Sequence, residues 1–282
     1  MTTPPWFTRA LAQTPEHRDV VVDGVRIHYR AWGDPALPGL VLVHGGAAHS
    51  GWWDHVAPQL TGHRVVALDL SGHGDSGHRS GYDVQHWADE VVAVAAAAGL
   101  DRPVVVGHSM GGWVAVSTGV THPDAVSAVA YVDSPLNDQP PEEERVRERR
   151  NPTRVYPTLD DGVARFRTLP AQDVVLPYVR EHVARESLRA VEGGWTWKFD
   201  PEFFGNRPRL RDLLPQLRRP AALFRCEHGL VDPAMAAEMA RLVPAGLPVV
   251  DLPDAGHHPM LDQPLSLVTA LRTLLAVWPA AG

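Results

Sequence analysis

Ser109 stands between two glycines in Gly107-His108-Ser109-Met110-Gly111, and His257 follows Gly256 near the end of the chain. A serine hydroxyl is a poor nucleophile at neutral pH. It becomes a good one when an imidazole takes its proton and a third group holds that imidazole in the right tautomer. The surroundings of Ser109 suit this chemistry. Val104-Val105-Val106 reads as a buried strand, and an Ala/Val-rich helical pattern follows Gly111-Gly112. Strand, tight turn and helix in that order lift a serine oxygen above the carboxyl edge of a sheet, and small residues must flank it because the turn is strained. The N–H of Met110 then lies at a helix N-terminus, where it can meet a developing oxyanion.

The base is expected on a loop after a late strand. Asp254-Ala255-Gly256-His257-His258-Pro259 follows the apolar run Val249 to Leu252. Gly256 lets the chain turn tightly before His257, whereas Pro259 restricts the backbone of His258, so His257 is the better candidate. A second oxyanion donor is expected at Gly46, in His44-Gly45-Gly46 at the exit of the run Leu40 to Val43, where no side chain obstructs the N–H.

These residues need a frame. Val20 to Val22 and Ile27 to Tyr29 flank Asp23-Gly24, a hairpin signal. Short apolar runs at Leu40 to Val43, Val65 to Leu68, Val104 to Val106 and Ala125 to Val132 alternate with helical patterns. The clearest of these has Val84, Trp87, Ala88, Val91 and Ala95 on one face and Gly99 as its stop. The order predicts an α/β protein with a mostly parallel sheet covered on both faces. The alternation breaks between Ser134 and Arg218, where prolines, a charged stretch from Glu142 to Arg150 and an aromatic cluster (Trp195, Trp197, Phe199, Phe203, Phe204) occur. Glu143 and Arg147 are spaced to pair along a solvated helix. Alternation returns with Ala221 to Phe224, a helix over 233–243, a strand over 247–252 and a helix over 264–277. The expected organisation is a core over 1–133, a helical cap over 134–218 and the rest of the core over 219–282. His108, Trp195 and Trp197 are candidates for the substrate pocket.

Composition narrows the partners. The chain has 282 residues, 44% of them hydrophobic, and 33 acidic against 26 basic residues give a net charge of −7. That balance argues against nucleic acid or an anionic membrane surface as partner. No apolar run is long enough to span a bilayer, and the start of the chain lacks a basic segment followed by an apolar one, so a cytoplasmic protein is expected. Cys226 is the single cysteine, which rules out an internal disulfide. The 15 histidines include no pair with zinc-ligand spacing backed by cysteines or carboxylates, so no metal is expected.

Four motifs together resemble the α/β-hydrolase superfamily: Val43-His44-Gly45-Gly46, the stretch Asp69-Leu70-Ser71-Gly72-His73-Gly74-Asp75-Ser76, Gly107-His108-Ser109-Met110-Gly111-Gly112, and Gly256-His257 followed by Asp262-Gln263-Pro264. The resemblance runs from about Asp19 to Val277. It implies an eight-stranded sheet with a cap inserted after the sixth strand. It also implies Ser109 as nucleophile, His257 as base, Gly46 and Met110 as oxyanion donors, and no cofactor. The sequence departs from the pattern at one place. The family's acid usually stands in a segment like Gly-Glu-His-Asp, and here that segment reads Cys226-Glu227-His228-Gly229.

The acid must therefore come from elsewhere. Asp133 ends the strand next after the serine's, and neighbouring parallel strands bring their carboxyl ends to one edge, so it can approach His257. Asp232 and Glu227 are the alternatives. Asp232 precedes Pro233 and could equally cap a helix. The expected activity is hydrolysis of a carboxylic ester, lactone or similar acyl compound. Its partner would be a small apolar acyl substrate, and a homodimer is compatible with the sequence. A cofactor-independent oxygenase or lyase using a His/Asp pair, and a ligand receptor with vestigial catalysis, are the competing readings. Haloalkane and epoxide hydrolysis would call for an aspartate where Ser109 stands.

Overall fold

The structure, a computed structural model, describes residues 3–136, 154–203 and 209–278. After the short helix α1 (Pro5–Leu11), the first four strands are β1 (Glu16–Val22), β2 (Val25–Trp32), β3 (Gly39–Val43) and β4 (Arg64–Leu68). They are followed by β5 (Val104–His108) and β6 (Ala128–Val132), by the short β7 (Leu188–Val191) and β8 (Gly194–Trp197), and by β9 (Ala221–His228) and β10 (Val249–Gly256). Eight of them form one sheet in the order β1-β2-β4-β3-β5-β6-β9-β10. β2 pairs antiparallel with β1 and β4, and all other pairings in that sheet are parallel.

Local chemistry accounts for the elements. Asp23 (φ 50°) and Gly24 (φ 77°) both take the left-handed backbone that a two-residue hairpin requires, with Val22 opposite Val25. The central strands are apolar throughout because both faces are covered. Leu40, Leu42, Val106, Ala130 and Val132 enter one core, while Val41, Val43, Val105, Val129 and Tyr131 enter the other. This is the two-residue alternation of a strand. The helix α2 (Val84–Ala97) buries the expected face; Asp83 caps it by accepting from the His86 N–H, and Gly99 (φ 71°) lies past its end. The helix α3 (Met110–Thr121) follows β5 directly. Among the described residues no helix is long and apolar enough to cross a membrane.

Two expectations shift. β6 starts at Ala128 because Pro123–Ala125 forms a 3-10 turn instead. The segment between β6 and β9 is not wholly helical. It contains α4 (Leu159–Val163) and α5 (Pro177–Glu186), then the hairpin β7–β8 turned at Gly193 (φ 81°), and the one-turn α6 (Leu210–Leu213). Leu188 opposes Trp197 and Ala190 opposes Trp195, so the aromatic cluster belongs partly to a small sheet. This segment is tied to the core by backbone: Gly74 N–H donates to Lys198, and Asp200 N–H to Gly72, both at 2.7 Å. Glu142 to Arg150, with the Glu143/Arg147 pair, and Phe204 lie outside the described residues.

Candidate active site

β5 ends against α3 in a sharp corner. Ser109 takes φ 53° and ψ −119°, a conformation unusual for a residue with a side chain, and its N–H donates to the Val132 carbonyl at 2.9 Å. The corner is passable only for glycine on either side. A Cβ on Gly107 would run into the backbone of Gly111, and one on Gly111 into the carbonyls of Val43 and His44.

Three side chains meet above this corner. The Ser109 hydroxyl donates to His257 Nε2 at 3.0 Å, and His257 Nδ1–H donates to Asp133 Oδ2 at 2.6 Å. A fully ionised carboxylate only accepts, which fixes this tautomer. Asp133 follows β6 with φ 46° and is fully buried. Burial pushes its carboxyl pKa up. The hydrogen bond and charge of His257, with the Leu230 and Val231 N–H donors at 2.7 and 3.1 Å, outweigh burial and hold it below the ordinary range. The other carboxylates considered are occupied elsewhere. Asp232 caps α7 (Pro233–Leu242) through the Met235 N–H at 2.7 Å, and exposed Glu227 accepts the Asp254 N–H at 2.9 Å.

Gly46 and Met110 face each other across the exit of β3. A Cβ on Gly46 would stand 3.8 Å from the Met110 sulfur. Met110 is the first residue of α3, so its N–H has no partner within the helix. Buried His44 sets the loop. Its Nε2 accepts the Leu70 N–H at 3.1 Å, so Nδ1 carries the proton and donates to the Gly45 carbonyl at 2.7 Å. In a trans peptide the C=O and N–H point oppositely, so turning the Gly45 carbonyl toward His44 turns the Gly46 N–H away from it.

His108 lies beneath the site rather than in a pocket wall. Its Nε2–H donates to the His257 carbonyl at 2.8 Å, and burial, helped by the neighbouring His257, pushes its pKa down to about 3. A neutral ring is thus fixed under the loop that carries His257. A cavity of about 340 Å³ reaches Gly46 and is walled by Trp52, Phe166, Trp197, Phe199 and His258 among others. Trp197 is among its walls. Trp195 and His108 are not: Trp195 is exchanging backbone hydrogen bonds with Tyr156 at 2.7 and 2.8 Å, away from the cavity. Trp52, Phe166 and His258 were not anticipated as walls; the pair Trp52-Trp53, a few residues past Gly46, was the available signal. Ring nitrogens of His108, His257 and His258 lie within 4.8 Å of one another. A cation there would have to take His257 from Ser109 and Asp133.

The sheet, the serine corner and this three-residue relay define the α/β-hydrolase class. The chain belongs to the alpha/beta hydrolase family, whose model matches residues 40–271. It is 30% identical to esterase Rv0045c of Mycobacterium tuberculosis over 258 residues, covering 86% of this chain and 84% of that protein. It is 27% identical to the sn-1-specific diacylglycerol lipase ABHD11 of Mus musculus, covering 86% and 83%. Among solved structures, E-2-(acetamidomethylene)succinate hydrolase shares the fold with a TM-score of 0.81 at 21% identity, covering 93% of this chain and 100% of that one.

Proposed function

We propose that the chain is a serine hydrolase acting on carboxylic esters or lactones of small apolar acyl compounds. The hydrogen-bonded relay from Ser109 through His257 to Asp133 carries this reading. His257 Nε2 takes the Ser109 proton as Oγ attacks the acyl carbonyl. The carbonyl oxygen gains negative charge and meets the N–H groups of Gly46 and Met110. The imidazolium, stabilised by Asp133, gives its proton to the departing alcohol oxygen, leaving an acyl group on Ser109. A water, deprotonated by His257, then releases the acid and restores the hydroxyl. No cofactor enters these steps. The names of the esterase and lipase relatives support the substrate class.

Residues 134–218 form the cap in this reading, with Trp197 and Phe166 over the site. A cytoplasmic location is part of the proposal; Cys226, buried as a free thiol, suits a reducing compartment. So is pairing of two chains as a homodimer. A vestigial receptor would fit a chain that lacks an acid at Gly229, but the Asp133 carboxylate occupies the space that Gly229 leaves. The test is a nitrophenyl ester assay with a fluorophosphonate probe. Wild type should turn over and label at Ser109, and Ser109→Ala should do neither while keeping its melting curve. Undiminished turnover by Ser109→Ala would overturn the assignment.

A further inference from the structure

Among the described residues, the walls of the 340 Å³ cavity carry charge of one sign only. Arg165 and Arg167 are among them, no carboxylate is, and burial keeps the His258 ring neutral. The stretch Arg165-Phe166-Arg167 leaves the end of α4, where the Arg165 N–H donates to the Gly162 carbonyl at 2.8 Å. Phe166 turns inward. It is buried, and its ring centroid lies 6.0 Å from that of Trp52 and 6.2 Å from that of Trp197. The arginines on either side of it are exposed. An arginine that lines a cavity and is also exposed lays its stem along the apolar wall and keeps its guanidinium in water. The two cations therefore stand at the mouth, within reach of a ligand that enters from solvent.

Neither cation has a carboxylate partner in the protein. The Arg165 side chain makes no hydrogen bond or ion pair among the described residues. Arg167 donates through Nη1 to the Ala164 and Phe166 carbonyls at 3.3 and 2.7 Å, which leaves Nη2 and Nε. The acids nearest in sequence are engaged elsewhere. Asp160 pairs with Arg185 at 2.7 Å, Glu186 with Arg30 at 2.8 Å, and Asp161 accepts from the Thr158 hydroxyl at 2.7 Å.

We propose that Arg165 and Arg167 are specificity-determining residues that select acyl substrates whose apolar chain ends in a carboxylate remote from the scissile ester, the half-esters of dicarboxylic acids. The proposal rests on the ester-hydrolase reading and names its substrate class. The cavity runs from Gly46, where the reacting carbonyl sits, past the aromatic walls to the arginines, so an acyl chain with its ester at Gly46 carries its other end to the mouth. A guanidinium fork matches a carboxylate in shape and charge. The chain as a whole carries a net charge of −7, which disfavours an anionic substrate at long range. A preference for one must then come from these local cations.

Nitrophenyl hydrogen suberate and nitrophenyl suberamate, its terminal amide, share a shape and differ in charge. Wild type should favour the carboxylate roughly tenfold in kcat/KM, the scale of a charge-assisted pair. Arg165→Gln and Arg167→Gln together should bring the ratio close to one, and Arg165→Glu should favour the amide. In wild type alone the preference should shrink as NaCl rises from about 20 to about 500 mM, since exposed charges are screened. A wild-type ratio of one, or a ratio that neither the double variant nor salt reduces, overturns the assignment of the arginines alone. So does a protein that labels at Ser109 with the fluorophosphonate yet turns over neither ester. If neither ester turns over and Ser109 stays unlabelled, the ester-hydrolase reading falls and this proposal with it.

Discussion

The carboxylate of Asp133 fills the space that a side chain on Gly229 would need. Two departures from the family's pattern are therefore one. An acid after β6 demands a glycine in the loop after β9, because a Cβ there would overlap the carboxylate. Asp133→Asn should lower kcat on the order of 10³–10⁴ by holding the wrong imidazole tautomer. Gly229→Ala should also lose activity, although residue 229 touches no substrate in the proposed mechanism. The double variant Asp133→Gly/Gly229→Asp should recover part of what Asp133→Asn loses. Steady-state kinetics on the three purified variants checks this; an active Gly229→Ala enzyme would contradict the steric argument.

His44 makes a separable prediction. Its two hydrogen bonds turn the Gly45–Gly46 peptide. His44→Ala should lower kcat by about 10²-fold, the scale of one lost oxyanion donor, with little change in KM. His44→Asn should do better than His44→Ala, since an amide can still donate to the Gly45 carbonyl. A change confined to KM would assign His44 to substrate binding instead.

The buried neutral state of His108 has a pH signature. Its pKa is pushed down to about 3 in the folded chain, by burial first and then by His257, against about 6.5 when unfolded. The unfolded chain thus binds the extra proton first. Stability from this group is complete above about pH 6.5 and declines as pH falls toward about 3. Urea unfolding between pH 7 and pH 4 should show a shallower loss for His108→Gln than for wild type, by up to about 1.4 kcal/mol per pH unit. Parallel curves would mean that His108 does not hold that shift.

Trp197 and Trp195 should behave differently although they sit two residues apart. Trp197 faces the cavity and Trp195 does not. Trp197→Ala should change the ranking of ester substrates by chain length. Trp195→Ala should lower the melting temperature while leaving that ranking intact. Equal effects of both on all substrates would place the pair in packing only.

The part of this site that could be read in the sequence is the part set by neighbours in the chain. Ser109 announces itself through its flanking glycines and the strand and helix on either side. Asp23-Gly24 does so through the backbone its turn requires. Asp133 needed one inference more, that adjacent parallel strands share an edge. What stayed hidden depends on approaches from far along the chain. The role of His44 rests on the Leu70 N–H, and the burial of His258 rests on Trp52 and the 169–170 segment. The hairpin β7–β8 was masked by its own composition: two short alternating runs rich in tryptophan read equally well as loose packing.

The pairing of His108 with Val132 has a consequence for how the molecule acquires its reactivity. Ser109 and Asp133 are the next residues on two adjacent strands, so the zipping of β5 to β6 puts nucleophile and acid side by side. His257 arrives only with β10, the outermost strand on its side of the sheet, separated from Asp133 by 124 residues of sequence. Edge elements tend to open at lower cost than the centre of a sheet. Turnover therefore reports on the docking of the last strand: a chain whose C-terminal edge has peeled away would keep most of its fold and lose its base.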